Sequence, residues 1–259
     1  MKRFDWILAT IKVNWANMTA NRGAFAATML FMLAQNMVYF GLWVVIFSKI
    51  SSLRGWGLPE VAFLYACGAF GYGVFFTLFG GLNLLGQMIQ NGELDTYMAR
   101  PRSVLLSALL QRMRGDSMGD VITGIVMLAL YVKPPMESLP LLLVLAISSG
   151  FVYTAFRLIM NSLAFFGSSG EAGENGFMAF IITSTSPQNG FGPFAKTLLF
   201  TLFPAGYVGL LPVEIMRHFR WDFLAYQLLG SAVIFSFSLW LFHRGLRRYA
   251  SGNKFLSLR

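Results

Sequence analysis

The stretch QMIQNGELDTYMARPR, residues 87–102, interrupts two long apolar runs, and what flanks it follows from what it can be. It is too polar to remain in lipid and too short to fold as a domain, so it is a surface connection between two buried segments. Gly92 suits the left-handed position that closes a helix, and Pro101 forces Arg100 out of the helical region. Between those stops there is room for one short helix. Glu93 and Asp95 fall in its first turn, where acids complement the positive end of the helix dipole, and Arg100 lies near the negative end. Leu94, Tyr97 and Met98 share one face at helical spacing. A short, capped, amphipathic peg of this kind is built to dock into a soluble partner. An ordinary charged loop held by local salt bridges is the other reading of the same composition.

The rest of the chain places that peg at a membrane surface. Hydrophobic residues make up 56% and charged residues 12% of the 259, and the mean hydropathy is +0.61. Soluble chains run near 25% charged, so this is a polytopic membrane protein. The formal net charge is +9, but the basic residues flank apolar runs instead of forming one patch. They read as topology signals, not as a nucleic-acid surface. The single cysteine, Cys67, lies inside an apolar run, which excludes an intrachain disulfide and a metal site of paired cysteines. No continuous apolar stretch with a small-residue cleavage site closely follows the basic start, so no cleaved signal is expected.

Taken in order, residues 1–22 carry Phe4, Leu8, Ile11, Trp15 and Met18 at steps of three and four, with Lys12, Asn14, Asn17 and Asn21 on other faces. That is the pattern of a helix lying in the bilayer interface. Residues 23–48 exceed the roughly 20 needed to cross a bilayer and form the first span. Residues 49–60, with Arg54, Gly55, Gly57 and Pro59, turn on the far side. Residues 61–86 form the second span. Its Ala69, Gly73, Thr77 and Gly81 stand four apart and give one face without bulk, suited to close helix packing; a lining role in a transport path is the alternative. The third span begins within 103–119 and runs to Tyr131. This leaves Asp116 and Asp120 near the headgroup region, paired with Arg112 and Arg114 at four-residue steps.

Residues 139–166 form the fourth span and contain Arg157. If the helix stays in lipid to Phe166, Arg157 lies about 13 Å above its end, needs a partner or a watered face, and is a functional candidate. The preferred reading is shorter: 139–156 already cross and Arg157 snorkels to the surface. Residues 167–176 read as a flexible polar loop. From 177 to 211 the chain is interrupted at Pro187, Gly190, Gly192, Pro193 and Pro204, with Pro212 just beyond. This is more than a straight span carries, so one net crossing plus an interfacial or re-entrant piece is expected. Residues 221–242 form the sixth span, with Trp221, Tyr226 and Trp240 suiting the interfaces. By this topology thirteen Lys and Arg fall in the N-terminal segment, the connection after the second span and the tail 243–259, against five in the outer loops. The bias puts both termini in the cytoplasm.

Gly92, Glu93, Leu94, Asp95, Thr96, Tyr97, Met98, Ala99, Arg100 and Pro101 together resemble the G-x-L-D-x-x-L-x-R-P signature of ABC-2-type permeases, within the drug and viologen-type exporter subfamily. The one departure is Met98 where leucine is usual, a swap of similar volume. The resemblance extends loosely over the chain, to the ending GLRRYASG at 245–252. It implies an all-α fold of six transmembrane helices with an elbow helix at 1–22, a coupling helix within 87–102 that enters a cleft on an ATP-hydrolysing subunit, and a re-entrant element resembled by 204–214. Pro204, Pro212 and Glu214 would then lie near the outer mouth, with Glu214 a gate residue or a solvated loop acid. It also implies a cytosolic ATPase dimer carrying ATP and Mg, a second permease chain, identical or related, and no cofactor on this chain. The expected location is a bacterial plasma membrane, and the expected cargo is hydrophobic or cationic and amphiphilic.

The residues themselves supply no motor. GFGPFAKT at 190–197 nearly matches the phosphate-cradling G-x-x-x-x-G-K-[ST] pattern, but Ala195 replaces the second glycine and Pro193 removes a backbone donor the loop must supply. His218 and His243 have no H-E-x-x-H spacing, and no glycine-flanked nucleophilic serine is present. A membrane enzyme is therefore disfavoured. A secondary transporter with a midplane site in the broken fifth region is the second reading; Arg157 is its candidate ionisable residue.

Overall fold

The computed structural model describes residues 5–249, so the expectations for Phe4 and for 250–259 of the tail lie outside the described residues. An interfacial-type helix, α1 (Asp5–Thr19), buries none of its residues. α2 (Arg22–Phe47) starts at Asn21, whose side chain accepts from the Ala24 amide at 3.0 Å and satisfies a donor the first turn cannot. Phe40 is its one buried residue. α3 (Leu58–Leu78) is opened by Pro59 in its first turn and by the Glu60 carboxylate, which accepts from the Gly57 amide at 2.8 Å.

α3 is the axis of the bundle. It packs along α7 (Ser117–Met127) and along α8 (Leu139–Ser162), which in turn packs on α12 (Trp221–Leu246). Lipid tails are as apolar as leucine, so close packing holds such helices together. The smooth stripe meets this demand: a Cβ on Gly73 would lie 2.6 Å from the Val121 amide nitrogen, and one on Gly81 would fall on the Ala108 carbonyl. Between them, the Thr77 carbonyl accepts from the Arg114 amide at 3.2 Å, while Ala69 is half-buried. Aromatic side chains fill the space between α3, α8 and α9 (Gly170–Ser184). Tyr72 stacks on Phe76 with centroids 4.0 Å apart, and Phe156 stacks on Phe180 at 4.2 Å. Each such pair adds about 0.5–1.5 kcal/mol.

α3 does not run straight into the polar connection. Backbone at Phe79 leaves the helical region (φ −106°, ψ 45°), a 3-10 turn follows at Gly80–Leu84, and α4 (Leu85–Asn91) resumes the helix. Then come α5 (Asp95–Met98) and α6 (Val104–Leu109), the latter capped by the Ser103 hydroxyl. α7 continues into a wide π turn at Leu128–Val132. Four helical stretches among the described residues are long and apolar enough to cross a membrane: Arg22–Phe47, Leu58–Leu78, Met136–Phe166 and Trp221–Leu246. Ser117–Val132 is apolar but shorter. The molecule is all-α among the described residues, where one isolated bridge, Leu53 to Trp56, marks the turn before α3.

Three expectations need correction. Residues 170–176 are helix and not loop, because the Ser169 hydroxyl caps α9 by accepting from the Ala172 amide at 3.1 Å, with Glu171 in the first turn. Arg157 does not snorkel: α8 runs on to Ser162 and the residue is 2% exposed. The acids of the third span are not paired at four-residue steps either. Arg114 pairs with Asp116, and the buried Asp120 accepts from Asn36 Nδ2 on α2 at 2.7 Å.

The broken region resolves into α9, then α10 (Pro193–Phe200) and α11 (Leu210–Arg217) joined through a turn at Pro204–Tyr207. The α10 pair is bent by 77°. Both ends of this hairpin meet the same segment before α3. Arg54 Nη1 donates to the Gly190 carbonyl at 2.6 Å and Asn189 Nδ2 to the Leu53 carbonyl at 2.7 Å; at the other end Trp56 Nε1 donates to Glu214 at 3.2 Å. The tip is buried and held by side-chain amides, with Gln188 Nε2 donating to the Ala205 carbonyl at 3.0 Å and Gln227 Nε2 to the Tyr207 carbonyl at 2.8 Å. The chain leaves and returns at one end of the bundle.

Candidate functional site

The connection from α4 to α6 is a braced arm. Gly92 closes α4 in the left-handed region (φ 78°), and the Glu93 amide donates to the Met88 carbonyl at 2.9 Å, the closure glycine allows without strain. Glu93 itself precedes α5, where Asn91 Nδ2 donates to its carboxylate at 2.9 Å; Asp95 is the acid in the first turn. Leu94, Tyr97 and Met98 do not act as one docking face. Leu94 is 0% exposed and anchors the arm to the core, whereas Met98 is 47% exposed.

Tyr97 lies between them, donating to Gln111 Oε1 at 2.9 Å, while Gln111 Nε2 donates to the Met88 sulfur at 3.0 Å. One amide thus clamps α4 to α5. Burial raises the Tyr97 phenol pKa. The Arg100 guanidinium lies 5.7 Å from the Tyr97 ring centroid. Tyr249, from the chain after α12, sits beside Leu94 and Asp95, and burial followed by the Asp95 carboxylate raises its pKa too. What remains open on the arm is Glu93, Thr96, Met98, Ala99, Arg100 and Pro101, a mixed charged and apolar surface. Gln111 and Tyr249 carried no signal in the sequence, since each acts through a neighbour distant along the chain.

Arg157 forms the second feature. Its Nη2 donates to the Glu174 carboxylate at 2.5 Å and to the Asn83 carbonyl at 3.2 Å, and its guanidinium lies 4.8 Å from the Phe177 centroid. A guanidinium stays charged when buried, so it needs a partner. Glu174 supplies it from a side chain 54% exposed at the start of α9.

Pro204, Pro212 and Glu214 belong to the hairpin. The two prolines are buried, and Glu214 is no free loop acid: it accepts from Trp56 and stands 3.7 Å from Arg217, which is itself 3.7 Å from Glu60. The near-match at 190–197 sits at this end too, beside Arg54. Across the bundle an apolar cleft of about 370 Å³ lies between α3, α6, α8 and α12, walled by Phe75, Phe151, Phe235 and Leu239 and reaching Ser103 and His243. Among the described residues no cluster of His, Cys, Asp and Glu could hold a metal ion.

A helical bundle with several membrane-length helices and a braced polar arm defines a multi-pass membrane protein. A family model described as ABC-2 family transporter protein matches residues 32–252, and the chain belongs to that family. It is the membrane permease component of an ABC transporter, and permeases of this family typically pair with an ATPase subunit. Comparison with curated proteins and with solved structures returns no match.

Proposed function

We propose that this permease exports a hydrophobic or cationic amphiphilic compound, a drug, lipid or glycan-like molecule, across a bacterial plasma membrane. It works with a second permease chain and a cytosolic ATPase dimer that carries ATP and Mg. The arm from Gly92 to Pro101 is the handle: closure of the ATPases displaces it, and the packing of the spans changes in response. The single observation that carries this reading is the construction of the arm. Leu94 and Gln111 fix it to the core while Glu93, Met98 and Arg100 stay open, which is how a lever differs from a loose loop.

Six crossings with both termini in the cytoplasm follow if Ser117–Val132 is the third crossing, α9 the fifth and the α10 to α11 hairpin a re-entrant element. The meeting of both hairpin ends at 53–60 supports that assignment. Aromatic walls suit a cationic amphiphile through cation–π contacts.

The test is copurification of a tagged chain with an ATPase, followed by ATP hydrolysis that rises when a candidate cationic amphiphile is added to the reconstituted complex. Solute movement by the purified chain alone, driven by an ion gradient, would instead establish a secondary transporter.

A further inference from the structure

We propose that Arg157 is a positioning residue of the transport cycle, passing displacement of the arm to α9 so that the stroke reaches the buried hairpin through α8 and α9 and not up α3. This rests on the reading that residues 92–101 receive the stroke.

Three observations converge on that route. First, the arm is not a rigid extension of α3. The helix stops at Phe79 and before α4 the chain passes through a 3-10 turn, in which Gly81 packs on α6, while Gly73 packs α3 closely on α7. A twist applied at α5 is absorbed at that break.

Second, the polar bonds of α4 and of the turn before it run sideways. Asn161 Nδ2 donates to the Leu82 carbonyl at 2.6 Å, Arg157 Nη2 to the Asn83 carbonyl at 3.2 Å, and Gln90 Nε2 to the Ser168 carbonyl at 3.0 Å, just ahead of α9. Arg157 joins the two sides, because the nitrogen that holds Asn83 also holds Glu174 on α9. Its Nε and Nη1 have no partner among the described residues, so the guanidinium keeps donors in reserve for a second arrangement of the same groups.

Third, α9 lies close against α8 and is joined to the hairpin. Cβ atoms on Gly173 and Gly176 would lie 3.1 Å from the Met160 carbonyl and 2.8 Å from its sulfur, so the two helices touch without interlocking bulk there. Just beyond α9, Gln188 donates to the Thr183 and Ala205 carbonyls, both at 3.0 Å, and accepts from the Leu210 amide at 3.1 Å. The turn at Asn83, Arg157, α9, Gln188 and the hairpin tip follow one another through hydrogen bonds, and α4 joins that turn to the arm.

Hydrogen exchange on the complex with its copurified ATPase, with and without trapping by ATP and vanadate, tests the route. In the wild type, trapping alters exchange in both 85–102 and 170–190. In Arg157→Gln and Glu174→Gln the change at 85–102 persists and the change at 170–190 is lost, and Arg157→Lys restores it. Glu174→Gln keeps its volume at a half-exposed site and decides the matter if Arg157→Gln does not fold. A change at 170–190 that persists in Glu174→Gln, or is absent from the wild type while 85–102 responds, overturns the proposal and leaves the handle intact. No response at 85–102 in the wild type overturns the handle itself, and this route with it.

Discussion

Gly81 and Gly41 differ by what surrounds them. A side chain at Gly81 collides with the α6 backbone, whereas nothing lies within 4 Å of a Cβ at Gly41. Gly81→Val is therefore expected to cost about 1–3 kcal/mol or more through overpacking, read as a lower melting temperature in detergent. Gly41→Ala is expected to be neutral or to gain up to about 1 kcal/mol from helix propensity. Asn36→Leu removes the donor that holds Asp120 and leaves a buried carboxylate oxygen unpaired, with an expected loss of about 1–3 kcal/mol in the same assay. Gly73 and Gly81 stood out as places of close approach because small size is a property of the residue alone; the end of α3 before Gly81 did not. The fate of Arg157 was not, since its burial depends on Glu174, a residue that composition assigns to a loop.

The elements repeat this division. Gly92 and Pro101 marked the ends of the arm, as backbone constraints do. Which side of a one-turn helix faces inward cannot be read from three apolar residues in five, and Leu94 turned in while Met98 turned out. Leu94→Asp is accordingly expected to disorder the arm and abolish assembly with the ATPase. Glu93→Lys and Met98→Ala leave the melting temperature unchanged and act on assembly alone: charge reversal abolishes copurification, and truncation weakens it. Loss of thermal stability in Glu93→Lys would show the residue to be a brace and not a contact. Gly173 and Gly176 look like loop punctuation, yet they occur where α9 lies close against α8; spacing alone does not distinguish the two uses.

For the whole molecule, hydropathy alone located the four long stretches. The hairpin's return to its point of departure was only half legible. Prolines announced a break, but the bonds of Arg54, Asn189 and Trp56 that bring both ends to 53–60 span more than 130 residues of sequence. The proposed orientation predicts opposite labelling of single-cysteine variants. Thr96→Cys reacts with a membrane-impermeant maleimide only in inside-out vesicles, and Met136→Cys, highly exposed just before α8, only in right-side-out cells. The same side for both would break the six-crossing scheme.

The brevity of Ser117–Val132 has a further consequence. Eleven residues of α7 and five of the π turn reach about 24 Å at 1.5 Å per residue, against a hydrocarbon layer of roughly 30 Å. As a crossing element it would pull the lipid surfaces together on one flank, at a cost of fractions of a kcal/mol per Å of mismatch. Bilayer thickness then becomes a control variable: reconstitution in shorter-chain lipids should raise the melting temperature, and a thick, sterol-like environment should lower it.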